Sequence, residues 1–254
     1  ILITMCKFER YGNCDEETKD QEYCIFHKPN KSEEEAREFY EKFLKKFKPK
    51  KEKIWYGLEE IPAEEGLVFE EAVDCRGYVF PEIPEDKIDF SFEASVFRGE
   101  TSFRDATFEG KAWFKGATFK GEVRFDRATF EEEAWFENAT FKGKVTFGRA
   151  TFEKWACFAG AIFEGNASFY EATFEEEAWF YVATFEGDAE FEGATFEGIA
   201  DFRFRRMPHK YKFCSKLVFL NTEFRKGVLI DIPSEWFKLP SAEAEACRVQ
   251  RISY

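Results

Sequence analysis

The 254-residue sequence predicts an all-β solenoid, and three observations carry that prediction. Twenty-one phenylalanines between positions 92 and 202 stand at gaps that alternate strictly between five and six residues. From Phe108 to Phe202 the residue two before each phenylalanine is Ala at sixteen of eighteen places, with Val123 and Val145 at the other two. The residue just before Phe recurs at 22 rather than 11: Trp113, Trp135, Cys157, Trp179 and Asp201 form one series, and Arg124, Thr146, Ser168 and Glu190 the other. A small residue and a Phe two apart face the same side of an extended strand, so both can be buried before a polar pair turns the chain. Repetition at fixed period means stacked coils. A four-sided coil of 22 residues fits best, with strands of neighbouring coils about 4.8 Å apart.

An eleven-residue period also suits an α-helix in a right-handed supercoil, and composition excludes it here. Eleven glycines lie between positions 97 and 202. Each costs about 1 kcal/mol in a helix interior, and the recurring Thr adds a β-branched penalty. Residues 128–136 and 172–180 both read ATFEEEAWF and lie 44 apart, two 22-residue periods. In units such as Ala117-Thr118-Phe119-Lys120-Gly121, the sequence resembles the pentapeptide-repeat family over most of residues 69–230. The resemblance implies a right-handed quadrilateral β-helix with the small residue and the central Phe facing inward; hand and number of sides come from it. The extra residue in every second unit departs from the family pattern and is expected to bulge a corner.

In order, the chain divides into residues 1–53, a Cys3His module with an amphipathic helix; 54–236, the β-helix with its regular core at 90–202; and 237–254, a helical tail. Cys6, Cys14, Cys24 and His27 cluster in the first thirty residues. The two-residue gap between Cys24 and His27 lets both side chains converge on one tetrahedral ion, and Cys6 and Cys14 can close the other half, so structural zinc is the expected cofactor. A Cys6–Cys14 disulfide or free thiols in a reducing compartment are the alternatives. A catalytic Cys24–His27 pair is disfavoured, because no third orienting residue is apparent.

Ser32 with Glu35 three residues on forms a capping box, and Ala36, Phe39, Tyr40, Phe43, Leu44 and Phe47 share one face of the helix that follows. That face is expected to dock the module on the first coil, with residues 45–53 as a solvated basic connector. Phe69, Cys75 and Phe80 already show the repeat rhythm and mark an irregular first coil. The prolines between 81 and 87 place a loop there before Phe90 resumes the coil. At the far end Met207, Phe213, Phe219, Phe224 and Ile230 keep an imperfect rhythm, as a terminal coil covering an open core would. Residues 241–254 read as a helix capped by Ser241. Their wording resembles the helical continuation of some larger archaeal pentapeptide-repeat proteins, a few of which lead into a membrane channel, and the absent initiator methionine and abrupt stop suggest a fragment.

Net charge is −13, and Glu and Lys are abundant while Gln and Met number two each. That balance leans toward the cytoplasm of a heat-loving organism. No segment is apolar for long enough to cross a membrane, and no secretory leader is present. Phosphate-loop, dinucleotide-binding, serine-elbow and paired His-Glu metal motifs are absent, so no enzyme is expected. On the 22-residue coil Glu109, Glu131, Glu153, Glu175 and Glu197 fall in one column, about 5 Å apart, where like charges repel. Between positions 155 and 202 there are eleven acids and no Lys or Arg, whereas 203–226 holds eight basic residues against one Glu. Beside the acids, Trp113, Trp135, Trp179 and Tyr181 form an aromatic stripe that either contacts a partner or stacks on itself to stiffen the rod.

The expected function is a non-enzymatic scaffold whose acidic column and aromatic stripe bind a cationic protein surface, another copy's basic end included, with no direct nucleic-acid contact. DNA mimicry toward type II topoisomerases, known in the family, is the alternative; one carboxylate per roughly 4.8 Å is sparse beside one DNA charge per about 1.7 Å. A soluble part of a larger channel-like protein is the other.

Overall fold

The computed structural model describes residues 5–54, 64–83, 90–203, 217–219 and 221–231. Among the described residues four sheets, three with seven strands and one with six, parallel in every pairing but one, form the four walls of a solenoid. Most strands are two residues long, and in the regular part each pairs in parallel with the strand 22 residues away. Thr129 thus lies between Thr107 and Thr151, and Trp135 between Trp113 and Cys157. We call the walls A to D in the order the chain visits them, with Thr118–Phe119 in A, Val123–Arg124 in B, Thr129–Phe130 in C and Ala134–Trp135 in D.

The alternation of five and six residues reflects two kinds of corner. Where five residues separate phenylalanines, a tight turn is closed by a hydrogen bond such as Ala128 N–H to the Phe125 carbonyl at 3.0 Å. Its third residue takes the left-handed region, as Arg127 does at φ 57° and Asn138 at φ 56°. Where six separate them, the extra residue lengthens the corner instead. On one such edge Gly99, Gly121, Gly143, Gly165 and Gly187 stack, and a Cβ on Gly143 would lie 2.5 Å from the Gly121 carbonyl oxygen. Coils at hydrogen-bonding distance leave no room for a side chain there.

The inward positions are those the sequence marks: from Phe97 to Phe202 every repeat phenylalanine and every preceding Ala or Val is buried. The rings form four continuous columns. In wall C, Phe108, Phe130, Phe152 and Phe174 stack at 4.9, 4.7 and 4.7 Å, within 5° of parallel. Rings of the opposite walls B and D meet edge to face across the core, as Phe125 and Phe136 do at 81°. Both arrangements suit the aromatic quadrupole.

The ends depart from the 22-residue spacing. Val79 pairs with Thr107, and Thr195 with Glu223, each at a separation of 28. At the N-terminal end the added residues fall in the expected proline loop; 84–89 lie outside the described residues, as do Met207, Phe213 and all of 232–254, including the expected C-terminal helix. Helix α1 (Glu33–Phe47) begins at Ser32 with both halves of the capping box present, and buries Ala36, Phe39, Tyr40 and Phe43 on the first coil. The basic connector expected at 45–53 is not a connector. Residues 45–47 complete α1, and Lys50–Ile54 forms strand β1, antiparallel to β2 (Glu64–Phe69), which extends wall A across the expected boundary at 53/54. Its lysines are exposed at an otherwise open sheet edge, a placement that discourages edge-to-edge pairing.

Phe152→Ala removes one ring from a continuous column and is expected to cost about 3–5 kcal/mol, whereas Glu153→Ala beside it should be neutral or slightly stabilising. Denaturant unfolding of the two variants checks this; comparable losses would contradict the inward and outward assignment.

Candidate metal centre and charged faces

The four clustered residues meet in space. Between Cys6 and Cys14 a short 3-10 turn, Glu9–Tyr11, reverses the chain at Gly12, which takes φ 68°. The Cys24-to-His27 segment closes a single turn, with His27 N–H donating to the Cys24 carbonyl at 2.9 Å, which brings both side chains to one side. Nδ1 of His27 then lies 2.9 Å from Cys24 Sγ, 3.6 Å from Cys6 Sγ and 3.7 Å from Cys14 Sγ, and all four ligand atoms fall within 4.8 Å of one another. Ligands about 2.3 Å from a tetrahedral ion stand roughly 3.5–3.8 Å apart, so these residues lie close enough to hold a metal ion. All three cysteines are free thiols, so the Cys6–Cys14 disulfide is not made.

The surroundings orient the ligands. His27 Nε2 faces the Arg76 carbonyl at 3.2 Å and donates its proton there, leaving the Nδ1 lone pair directed at the sulfurs. Phe8 stacks on the imidazole at 5.0 Å and Tyr78 meets it edge-on at 5.3 Å. Burial holds His27 down to about 4 and pushes the Cys14 and Cys24 thiols up, so burial favours the neutral form of these three groups. Backbone groups of Asp15, Phe26 and His27 work the other way on Cys24 and favour its thiolate.

The first coil is adapted to this module. At the register of Phe103 it carries Cys75, and at the register of Ala106 it carries Tyr78. The exchange of large and small side chains lets Tyr78 reach out of the coil, where it stacks on Phe26 at 4.6 Å and donates to the Asn13 carbonyl at 2.9 Å. Tyr11 binds Asp105 at 2.6 Å. The Cys75 and Tyr78 positions are visible in the sequence, but their meaning depends on knowing what packs above them.

The predicted columns are present, on adjacent surfaces. Glu109, Glu131, Glu153, Glu175 and Glu197 follow successive wall C strands along the C/D corner. Burial, with Glu109 and Glu153 on either side, raises the Glu131 carboxyl above its ordinary range. The end rungs are engaged: Glu109 accepts the Asn30 N–H at 2.6 Å, and Glu197 pairs with Arg225 at 2.9 Å. Glu131, Glu153 and Glu175 make no ion pair among the described residues.

The acidic flank is less bare than its composition suggests. Of its eleven acids, Glu164, Glu171, Glu176, Glu197 and Asp201 pair with Lys142, Arg149, Lys154, Arg225 and Arg203. Three of these pairs join residues 22 apart, as do Lys111–Glu133, Lys115–Glu137 and Arg127–Asp105. A cation in one coil thus neutralises an acid in the next, a signal legible at the 22-residue offset but hidden from a scan of local charge.

On wall D, Trp113 and Trp135 stack at 5.6 Å, and Trp155, not included in the expected stripe, bridges Trp135 and Trp179 edge-on at 4.5 and 4.7 Å over the smaller Cys157. Only the C-terminal part of the face is open, where Trp179, Tyr181, Ile199 and Leu229 are exposed. A depression beside Tyr40, Phe80 and Trp113 has a volume of about 10 Å³, at the lower limit for a single water. No helix among the described residues is long and apolar enough to cross a membrane.

Compared with known families, residues 89–129, 114–160 and 158–204 each match the model described as pentapeptide repeats (9 copies). No curated protein and no solved structure matches the chain.

Trp135, held between two other indoles, and Trp179, at the open end, should differ in their contribution to stability. Trp135→Ala is expected to cost about 3 kcal/mol and Trp179→Ala about 1 kcal/mol in denaturant unfolding. A larger loss at Trp179 would show that the open end is the structural one.

Proposed function

Since residues 89–204 of the chain belong to the pentapeptide-repeat family, we propose that this β-solenoid is a non-enzymatic scaffold that binds a cationic protein surface along its C/D corner and wall D. The observation that carries the reading is the adjacency of two unlike columns: the carboxylates Glu131, Glu153 and Glu175, which make no ion pair among the described residues, and an indole face that opens at Trp179 and Tyr181. Aligned carboxylates steer a positive partner at long range, and exposed aromatic surface supplies the short-range contact that charge alone lacks. Among the described residues of the basic end, Arg203 and Arg225 are already paired.

The Cys3His donor set suits zinc, a four-coordinate ion that takes thiolate and imidazole together, in a structural role. Zinc would fix the N-terminal module on the first coil and leave the C/D corner beyond Glu109 free for the partner.

Two measurements test these readings. Purified protein should carry one zinc per chain, and Cys24→Ser should lose it together with amide protection in the first thirty residues; protein that takes up no zinc overturns the metal assignment. A lysine-rich peptide should bind wild type at low salt and weaken steeply as the screening length falls toward about 8 Å at physiological ionic strength. Glu153→Lys with Glu175→Lys should slow its association and Trp179→Ala should speed its release. Binding unaffected by any of these changes would leave the column as a solubilising surface.

A further inference from the structure

Two lysines beside the cysteine cluster turn their ammonium groups inward and meet no carboxylate among the described residues. Lys46 is an exposed residue of α1, where a lysine ordinarily extends its head into water. Instead its Nζ folds back to donate to the Asn13 carbonyl at 2.6 Å and the Tyr78 hydroxyl at 2.8 Å, and it lies 5.0 Å from the centre of the Phe26 ring. Asn13 precedes Cys14 and Tyr78 packs on His27, so this ammonium sits among the groups that hold two of the ligands. Lys31 follows the turn that carries His27; its Nζ donates to the Val79 carbonyl at 2.6 Å and lies 4.8 Å over Phe39.

Carbonyl oxygens and ring faces solvate an ammonium but do not neutralise it. Asp74 attracts Lys46 but is held by Arg76 at 2.7 Å, while Glu109 and Glu35 attract Lys31 without contact. Burial lowers both lysines, Lys31 to about 7, and Cys24 is among the groups that draw each of them back up. The missing counter-charge follows from the donor set. A divalent ion bound by three thiolates and a neutral imidazole carries one net negative charge.

We infer that Lys46 and Lys31 are the built-in counter-ions of the metal centre, positioning residues that favour the fully ionised three-thiolate state. The inference rests on the zinc reading above. Each lysine contributes to metal affinity through its charge, and outer-shell partners of this kind are typically worth 10–100-fold.

Competition with a chromophoric chelator tests it on the full chain. Lys46→Met keeps the stem and removes the charge; it should weaken zinc binding about tenfold, and Lys31→Met with Lys46→Met about a hundredfold. Lys46→Arg, which retains the charge, should stay within about threefold of wild type. The visible spectrum of the cobalt-substituted Lys46→Met protein should match wild type, showing the same ligands at lower affinity. Lys46→Met binding zinc as tightly as wild type overturns the inference, as does Lys46→Arg as weak as Lys46→Met, or a cobalt spectrum that shows a lost thiolate. Wild type that binds no zinc overturns the zinc reading and this inference with it, whereas the other three outcomes leave the zinc reading standing.

Discussion

In the regular part of the solenoid, parallel backbone hydrogen bonds hold each coil to the next at one spacing, and that spacing sets each side chain directly over the one 22 residues away. Nearly every other feature is a response to it. Where the stacked groups are phenyl rings, the enforced separation is close to the optimum for parallel aromatic contact, so the core gains from repetition. Where a corner brings backbone against backbone, only glycine fits, and Gly121, Gly143 and Gly165 follow. Where the groups are carboxylates, the same spacing is a liability, visible in the raised Glu131. The chain relieves it over much of the surface by setting a Lys or Arg in the neighbouring coil, as at Arg149–Glu171. Such exposed pairs contribute little stability individually; their effect is to neutralise a column. Against that background Glu131, Glu153 and Glu175 stand out as carboxylates aligned on one corner with no ion pair among the described residues.

A stack of coils has two open ends, each a layer of phenyl rings that water would otherwise meet. At the N-terminal end the cover is built from unlike parts: the aromatic face of α1, an antiparallel hairpin on wall A and the Cys3His module. The module cannot bury enough apolar surface to fold by itself, a common reason for a small unit to use a metal. Its ligand His27 is tied to the first coil through Arg76, so an ion at the cluster would fasten the module and the coil together. The exchange that places Tyr78 where later coils have Ala turns the top of the solenoid into a seat for that module.

The solenoid, its 22-residue coil and the identity of its inward residues were determined by the sequence itself, because each coil repeats the same local choice and the sum is unambiguous. Helix α1 was legible for the same reason: Ser32, Glu35 and the apolar face are local signals. The gathering of Cys6, Cys14, Cys24 and His27 was legible as a cluster from spacing, but which groups orient it was not, since Arg76 and Tyr78 come from a coil some fifty residues away. Only the tertiary structure decided that β1 is a strand rather than a connector, because Lys50–Ile54 has no strand signal of its own and is held by pairing with β2. It also decided which acids are neutralised and that Trp155 completes the indole face, since those contacts join side chains a full coil apart and depend on how the corners turn.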